Sequence, residues 1–337
     1  MTDRGAVLVT GGAGYIGSHT AKALAEAGWR PVVFDNLSSG RREAVRWGPL
    51  VVGDVRDREA LRAALTEHAV AGVIHFAGLI EVGRSVTRPD LFYDHNVSGT
   101  GALLSAMADR EISRLVFSSS AAVYGDIKGA DAAAPIPEDA AKAPTSPYGE
   151  SKLIGEWMIA AHARAFGLSA VALRYFNAAG ADTSALIGEA HDPETHLIPL
   201  AIEAALGAGK PLTVFGQDFD TPDGSCLRDY IHVSDLARAH VAALEAPMDR
   251  GEFQPFNVGT GIGRSVLQVL QAVDQVAGRT PYAVGARRAG DPASLVADPA
   301  RIRTRLNWSP TQSDLVTIIE TALAWRTSPR FPVKNGG

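Results

Sequence analysis

Ala6-Val7-Leu8-Val9-Thr10-Gly11-Gly12-Ala13-Gly14-Tyr15-Ile16-Gly17 decides the reading of this chain. A short β-branched run ends in glycines at 11, 14 and 17, and an amphipathic stretch then runs to Gly28. Glycine at these three places lets the backbone turn tightly and brings a pyrophosphate to the N-terminus of the following helix, where amide N–H groups point outward. Such a loop alone is weak grounds. Its setting strengthens it, because Asp35 closes the next strand-like run, Pro31 to Asp35, where a carboxylate can bind the adenosine ribose hydroxyls. The same carboxylate repels a 2′-phosphate, which favours NAD over NADP even though Arg41 and Arg42 follow closely. Asp54, near the end of the third run, repeats the pattern; it either reaches the adenine or caps its own turn.

Outward from the loop, β-branched runs recur at Leu50 to Val55, Val73 to Ala77, Leu115 to Ser119 and Ser169 to Arg174, each followed by helical periodicity or a turn. This alternation predicts βαβ units, hence an α/β fold with a doubly wound, mostly parallel sheet that binds ligands at the carboxyl ends of its strands. After about Phe176 the pattern changes to long polar loops around a short run, Leu212 to Phe215. We therefore expect a nucleotide-binding domain over residues 1–175, with 231–258 rejoining it. Residues 176–230 and 259–330 then form a smaller, mixed α/β substrate domain. Ala130 to Ala143 reads as an alanine- and proline-rich loop.

The 337 residues carry a formal net charge of −5, which gives no general attraction to nucleic acid or to an anionic membrane. No apolar run is long enough to span a bilayer, and no signal-peptide pattern is visible. A single cysteine, Cys226, excludes an internal disulfide framework and favours a reducing compartment, so a cytoplasmic setting is expected.

Chemistry is written in three residues. Leu115-Val116-Phe117 runs into Ser118-Ser119-Ser120, which delivers a hydroxyl to a strand end. Ser146 can cap a helix with Pro147 at its first position, placing Tyr148 in the positive first turn. Lys152 stands at i+4 on the same face. The expected division is that Tyr148 moves a proton, Lys152 lowers its pKa and also reaches cofactor ribose, and Ser120 steadies the reacting oxygen. A Tyr-x-x-x-Lys pair is by itself usually a plain helix face with a snorkelling lysine; the glycine loop and the serine-ended strand outweigh that reading here.

Ser120 has no Gly-x-Ser-x-Gly elbow, so a hydrolase triad is unsupported. His191 and His196 beside Glu189 and Glu194 form the only histidine cluster worth weighing. With no cysteine partner and no HExxH helix, a polar loop is the expectation and no metal is assigned. Arg228, Arg287 and Arg288 fall in the expected substrate domain, where guanidinium forks could clamp a diphosphate or simply be solvated.

TGGAGYIGSH from Thr10, HFAG from His75, SSSAAVYG from Ser118, SPYGESK from Ser146, RYFNAAGA from Arg174 and RDYIHVSDLA from Arg228 occur in matching order over nearly the whole chain. In this the chain resembles the sugar-nucleotide 4-epimerases of the extended short-chain dehydrogenase/reductase family. The resemblance implies a Rossmann domain holding NAD, a UDP-sugar substrate, and interconversion of UDP-glucose and UDP-galactose through a 4-keto sugar. Catalysis is implied at Ser120, Tyr148 and Lys152. Gly11, Gly14, Tyr15, Ile16, Gly17, Asp35, Asn36, Asp54, Val55, Phe76, Ala77, Gly78, Asn96, Ser118 and Tyr175 are implied to line the cofactor cleft with Tyr148 and Lys152. Phe176, Asn177, His196, Leu197, Phe215, Arg228, Arg287, Asp291 and Leu295 are implied to face the substrate with Ser120 and Tyr148. A homodimer through helices around Asp90 to Arg110 and Pro147 to Phe166 is also implied.

Three positions depart from the family pattern. Ile80 replaces a cofactor-facing lysine, His196 an asparagine, and Leu295 takes a gate position of intermediate size. Related 4-epimerases of UDP-xylose, UDP-N-acetylglucosamine or UDP-glucuronate are the alternatives on this scaffold. A 4,6-dehydratase is disfavoured because Ser119-Ser120-Ala121 stands where those enzymes carry Thr-Asp-Glu. A non-catalytic NAD sensor is disfavoured by the intact tyrosine and lysine.

Overall fold

The computed structural model describes residues 4–126, 134–288 and 291–331; the first part of the expected loop from Ala130 lies outside them. In chain order the strands are β1 (Ala6–Thr10), β2 (Arg30–Asp35), β3 (Leu50–Val52), β4 (Val70–His75), β5 (Arg114–Ser120), β6 (Ser169–Tyr175), β7 (Asn177–Ala179), β8 (Leu212–Phe215), β9 (Leu227–His232), β10 (Phe253–Val258), β11 (Gly263–Ser265), β12 (Tyr282–Gly285) and β13 (Ser294–Leu295). The helices are α1 (Tyr15–Glu26), α2 (Arg58–Glu67), α3 (Val82–Thr87), α4 (Pro89–Phe92), α5 (Gly99–Asp109), α6 (Pro147–Phe166), α7 (Leu197–Ala205), α8 (Val233–Glu245), α9 (Val266–Ala277), α10 (Ala300–Leu306) and α11 (Leu315–Thr327).

Seven parallel strands form the main sheet in the order β10-β6-β5-β4-β1-β2-β3. Its order reverses between β1 and β4, and the crevice at such a reversal is where an open α/β sheet binds its ligand. Both faces are covered, which explains why β1 reads as continuous apolar sequence rather than alternation. Ala6 and Leu8 pack into one core with Leu61 of α2, Leu103 of α5 and Ile159 of α6. Val7 and Val9 pack into the other with Leu24 of α1, Leu236 of α8 and Ile302 of α10.

Past β6 the chain leaves this sheet. β9 is the centre of a second sheet, flanked by β11 and β13 and paired also with β7, while β8 and β12 form a separate parallel pair. Ile198, Ile202, Val269, Val273, Ile318 and Ile319 from α7, α9 and α11 make a distinct core here. Ile231 and His232, expected to rejoin the first layer, are paired with Ala178 and Ala179 in the second sheet. The return begins at α8, which packs against α1, and finishes at β10, the seventh strand. Asp229 fixes the crossing: its buried carboxylate accepts from the amides of Thr260, Gly261 and Ala297. Among the described residues no helix is long and apolar enough to cross a membrane.

Candidate active site

The glycine loop sits at the reversal, packed so closely that side chains are excluded. A Cβ at Gly11, where φ is +71°, would lie 2.6 Å from the Ala77 nitrogen, and one at Gly17 would lie 2.3 Å from the Gly11 oxygen. Thr10 closes the gap by accepting from the amides of Phe76 (2.9 Å) and Ala77 (3.1 Å), just past the end of β4. Gly14 caps α1 without any side-chain hydrogen bond, which leaves amides of the first turn for a ligand. Asp35 is 8 % exposed; burial pushes its carboxyl up, and the amides of Ala13 (3.0 Å) and Leu37 (2.8 Å) hold it back. This cradle fits a dinucleotide.

The rest of the cleft is tied by side chains. Asn96 is buried, accepts from the Leu79 amide at 2.8 Å, and donates to Leu79 oxygen and to Ser151 Oγ at 3.0 and 2.9 Å. It lies in a π-helical turn, Tyr93–Ser98, an element common at functional sites that no sequence period announced. Gly78 abuts this asparagine, and Val55 is buried against Gly99. Asp54 caps its own turn: it accepts from the Arg56 amide and side chain, each at 2.9 Å, and from Asn36 at 3.2 Å, so its carboxyl is held far below the usual range. The Tyr15 hydroxyl donates to Gly180 oxygen at 2.6 Å, and Ile16 packs into the second core of the main sheet. Ile80 is exposed.

The three serines ending β5 diverge because successive strand residues alternate sides. Ser118 shares a 2.6 Å hydrogen bond with the Tyr175 hydroxyl, and its carbonyl accepts from Lys152 Nζ at 2.8 Å. Ser119 turns inward and donates to Glu156 at 2.6 Å. Ser120 accepts from the Ala122 amide at 3.2 Å and hydrogen-bonds Tyr148. Ser146 caps α6 as its sequence suggests, accepting from the Gly149 amide at 3.2 Å with Pro147 behind it, and so sets Tyr148 and Lys152 on the inner face. The trio converges at the carboxyl end of the sheet.

The Tyr148 hydroxyl is raised, not lowered: burial outweighs the Ser120 hydrogen bond, and Lys152 Nζ stands 5.9 Å from the tyrosine ring centre. Burial likewise pulls Lys152 down to about 8. Each group therefore resists charging in the protein alone, because both are removed from water with no counter-charge between them.

Beneath the trio lies a network that sequence reasoning missed. Arg174 grips Glu156 through Nε at 2.8 Å and Nη2 at 2.6 Å and reaches the Tyr124 hydroxyl at 2.9 Å. Tyr124 in turn donates to Asn257 at 2.6 Å. Both ions are 3 % exposed. The available signal was an arginine inside an apolar strand, since such a charge is tolerated only when paired.

The expected substrate residues are spread over the second sheet, the β8–β12 pair and the start of α7. Leu295 pairs with Arg228 across β13 and β9, and its side chain shares an apolar cluster with Phe176, Tyr124 and Leu153. Arg228 donates to Leu227 and Pro292 oxygens at 2.8 and 3.0 Å, with Asp291 at 3.8 Å. Arg287 holds Asp218 at 2.6 Å and stacks 4.1 Å over Phe219, while Arg288 lies 3.9 Å over Phe215. Asn177 opens β7, and Leu197 begins α7 behind His196.

A Rossmann sheet with a serine, tyrosine and lysine at its carboxyl edge, facing a second layer rich in arginine, defines a dinucleotide-dependent enzyme of the short-chain dehydrogenase/reductase type. The chain belongs to the NAD dependent epimerase/dehydratase family, whose sequence model matches residues 7–259. A UDP-glucose 4-epimerase of Rhizobium meliloti is 50 % identical over 323 residues, covering 95 % of this chain and 97 % of that one. The UDP-glucose 4-epimerase of Brucella ovis, solved in complex with NAD, superposes with a TM-score of 0.90 at 50 % identity over 95 % of this chain and 98 % of that one. The Bifidobacterium longum enzyme, solved with NAD+ and UDP, gives 0.89 at 37 % identity, covering 96 % of this chain and 98 % of that one.

Proposed function

We propose that this chain is an NAD-dependent UDP-sugar 4-epimerase that interconverts UDP-glucose and UDP-galactose. The observation that carries the reading is the convergence of Ser120, Tyr148 and Lys152 beside the glycine cradle, in a chain half identical to enzymes of that name over 95 % of its length. When bound, NAD supplies the acceptor, and then the donor, of the hydride at sugar C4. Tyr148 takes the proton of the 4-hydroxyl and returns it once the flat 4-keto sugar has turned over. Ser120 holds the reacting oxygen through the hydroxyl that already bonds Tyr148. Lys152 is positioned by the Ser118 carbonyl to favour the tyrosinate and to reach ribose hydroxyls.

Asp35 would hold the adenosine ribose, with Asn36, Asp54 and Val55 around the adenine end and Phe76, Ala77, Gly78, Asn96, Ser118 and Tyr175 along the remaining cleft. Arg228, Arg287, Asp291, Phe215, Leu197 and His196 would take UDP, while Phe176, Asn177 and Leu295 would bound the sugar. Firm grip on the nucleotide and loose grip on the sugar suit a reaction that must present both faces of one ring. The same reading includes a homodimer through α5 and α6, supported by Trp157, which is 63 % exposed on α6, and a cytoplasmic setting, supported by the free, buried Cys226.

The test is to incubate purified protein, with no cofactor added, separately with UDP-galactose, UDP-N-acetylgalactosamine and UDP-xylose. Conversion of UDP-galactose to UDP-glucose without accumulation of NADH is expected. Stoichiometric NADH would mean an ordinary dehydrogenase and no closed cycle; conversion of UDP-xylose alone would move the substrate class to pentoses.

A further inference from the structure

The loop between Gly180 and α7 does more than connect. Glu189, His191, Glu194 and His196 each offer one ligand atom, and the four atoms lie within 4.8 Å of one another. His196 Nδ1 is 2.7 Å from Glu189 Oε1 and 3.2 Å from Glu194 Oε1, and His191 Nδ1 is 2.9 Å from Glu189 Oε1. Zinc bound tetrahedrally by nitrogen and oxygen at ~2.0–2.1 Å sets its donors about 3.3 Å apart. The closest contacts here need to open by only about half an ångström to accept one.

A second observation points to one unfilled position in this histidine–carboxylate network. The Glu194 side chain is 3 % exposed, yet its Oε2 has no hydrogen-bond partner. The Glu189 side chain, 6 % exposed, already serves both imidazoles through the single oxygen Oε1. Two buried carboxylates cost several kcal/mol each to desolvate unless positive charge answers them. Arg326 is near enough to be felt by both, but it also faces Glu203, so its single charge is shared among three carboxylates. A divalent cation supplies two charges at once and can use the idle Glu194 oxygen.

We propose that Glu189, His191, Glu194 and His196 form a binding site for a zinc-type divalent cation. Two imidazoles and two carboxylates favour zinc over the all-oxygen shells of magnesium or calcium. Four protein ligands leave no open position, so the role is structural, and His196, which faces the cluster through Nδ1, keeps Nε2 for the nucleotide. The site lies between two functional elements: His191 meets the Tyr15 ring edge-on at 6.2 Å, Tyr15 donates to Gly180 at the loop's start, and His196 is the N-cap residue of α7. A bound cation therefore fastens the glycine turn of α1 to the helix that begins at Leu197.

The test uses tag-free, full-length protein with its native cofactor content, stripped of metal by a chelator and titrated with zinc, then separately with cobalt. One zinc per chain, a rise in Tm with zinc, and the intense visible bands of tetrahedral cobalt are expected. His191→Ala and Glu189→Gln should each weaken zinc binding at least about tenfold and erase the cobalt spectrum while retaining bound dinucleotide. His162→Ala, on α6 and outside the cluster, should change nothing. Failure of the wild-type protein to bind zinc stoichiometrically, a weak octahedral cobalt spectrum, or unchanged binding in Glu189→Gln would each overturn the site. If His191→Ala does not fold, the wild-type cobalt spectrum and Glu189→Gln decide.

Discussion

The carboxyl edge of β5 and the arginines of the second layer are both built to meet charge, but they wait for it differently. Around β5 the polar groups are buried and satisfied by the protein itself: Lys152 by Ser118, Ser119 by Glu156, Glu156 by Arg174. In the second layer Arg287 rests on Asp218, itself 75 % exposed, and Arg288 lies over an aromatic ring. These are partners that a diphosphate can displace cheaply, since exposed pairs are worth at most about 1 kcal/mol. On the proposed reading, the reacting centre is thus ordered before ligand arrives, whereas the nucleotide grip is free to re-pair.

The sharpest break of that contrast is Tyr148→Phe, expected to reduce kcat by about 10²–10⁴-fold while bound NAD, measured by absorbance of the denatured protein's supernatant, stays stoichiometric. Loss of the cofactor as well would make the tyrosine a structural part of the cleft. Next comes Glu156→Ala, which strands Arg174 in a dry site and should cost about 3–5 kcal/mol in denaturant unfolding. A cost below about 1 kcal/mol would show the network to be dispensable. Lys152→Met should abolish turnover yet stabilise cofactor-free protein at pH 7 by up to about 3 kcal/mol. The sign follows from the shift: with the folded pKa near 8 against an ordinary 10.5, the unfolded chain binds more protons between those values. Stability of the parent therefore rises with pH through that window, and the gap between parent and variant in Tm closes above it.

Ser120→Ala is expected to slow turnover about tenfold with KM little changed, because Tyr148 keeps its place on α6. Smallest is Asp218→Asn, which frees Arg287 and should leave stability within about 0.5 kcal/mol while tightening UDP by no more than about fivefold in calorimetry. Weaker UDP binding there would mean that Asp218 positions the guanidinium instead of competing for it.

How far the sequence could be read follows the range of the interactions. The glycine turn, the Ser146 cap and the i+4 tyrosine–lysine pair are local, so their geometry is legible in a dozen residues each. The parallel sheet was legible because two covered faces demand continuous apolar strands. Charge and burial were not. Whether Tyr148 is raised or lowered depends on how deeply the fold buries it, and here burial outweighs the Ser120 hydrogen bond. The Glu156–Arg174 pair, the π-helical turn at Asn96 and the register that brings Leu295 to Arg228 join residues remote in sequence or replace a regular period.

By itself, then, the sequence determined the dinucleotide fold and the family and singled out the candidate trio, because each rests on backbone geometry within a few residues. Tertiary structure alone decided which serine stands beside Tyr148, which groups resist ionisation, and that four donors of one loop converge. Those outcomes depend on desolvation and through-space distance, which no linear spacing records.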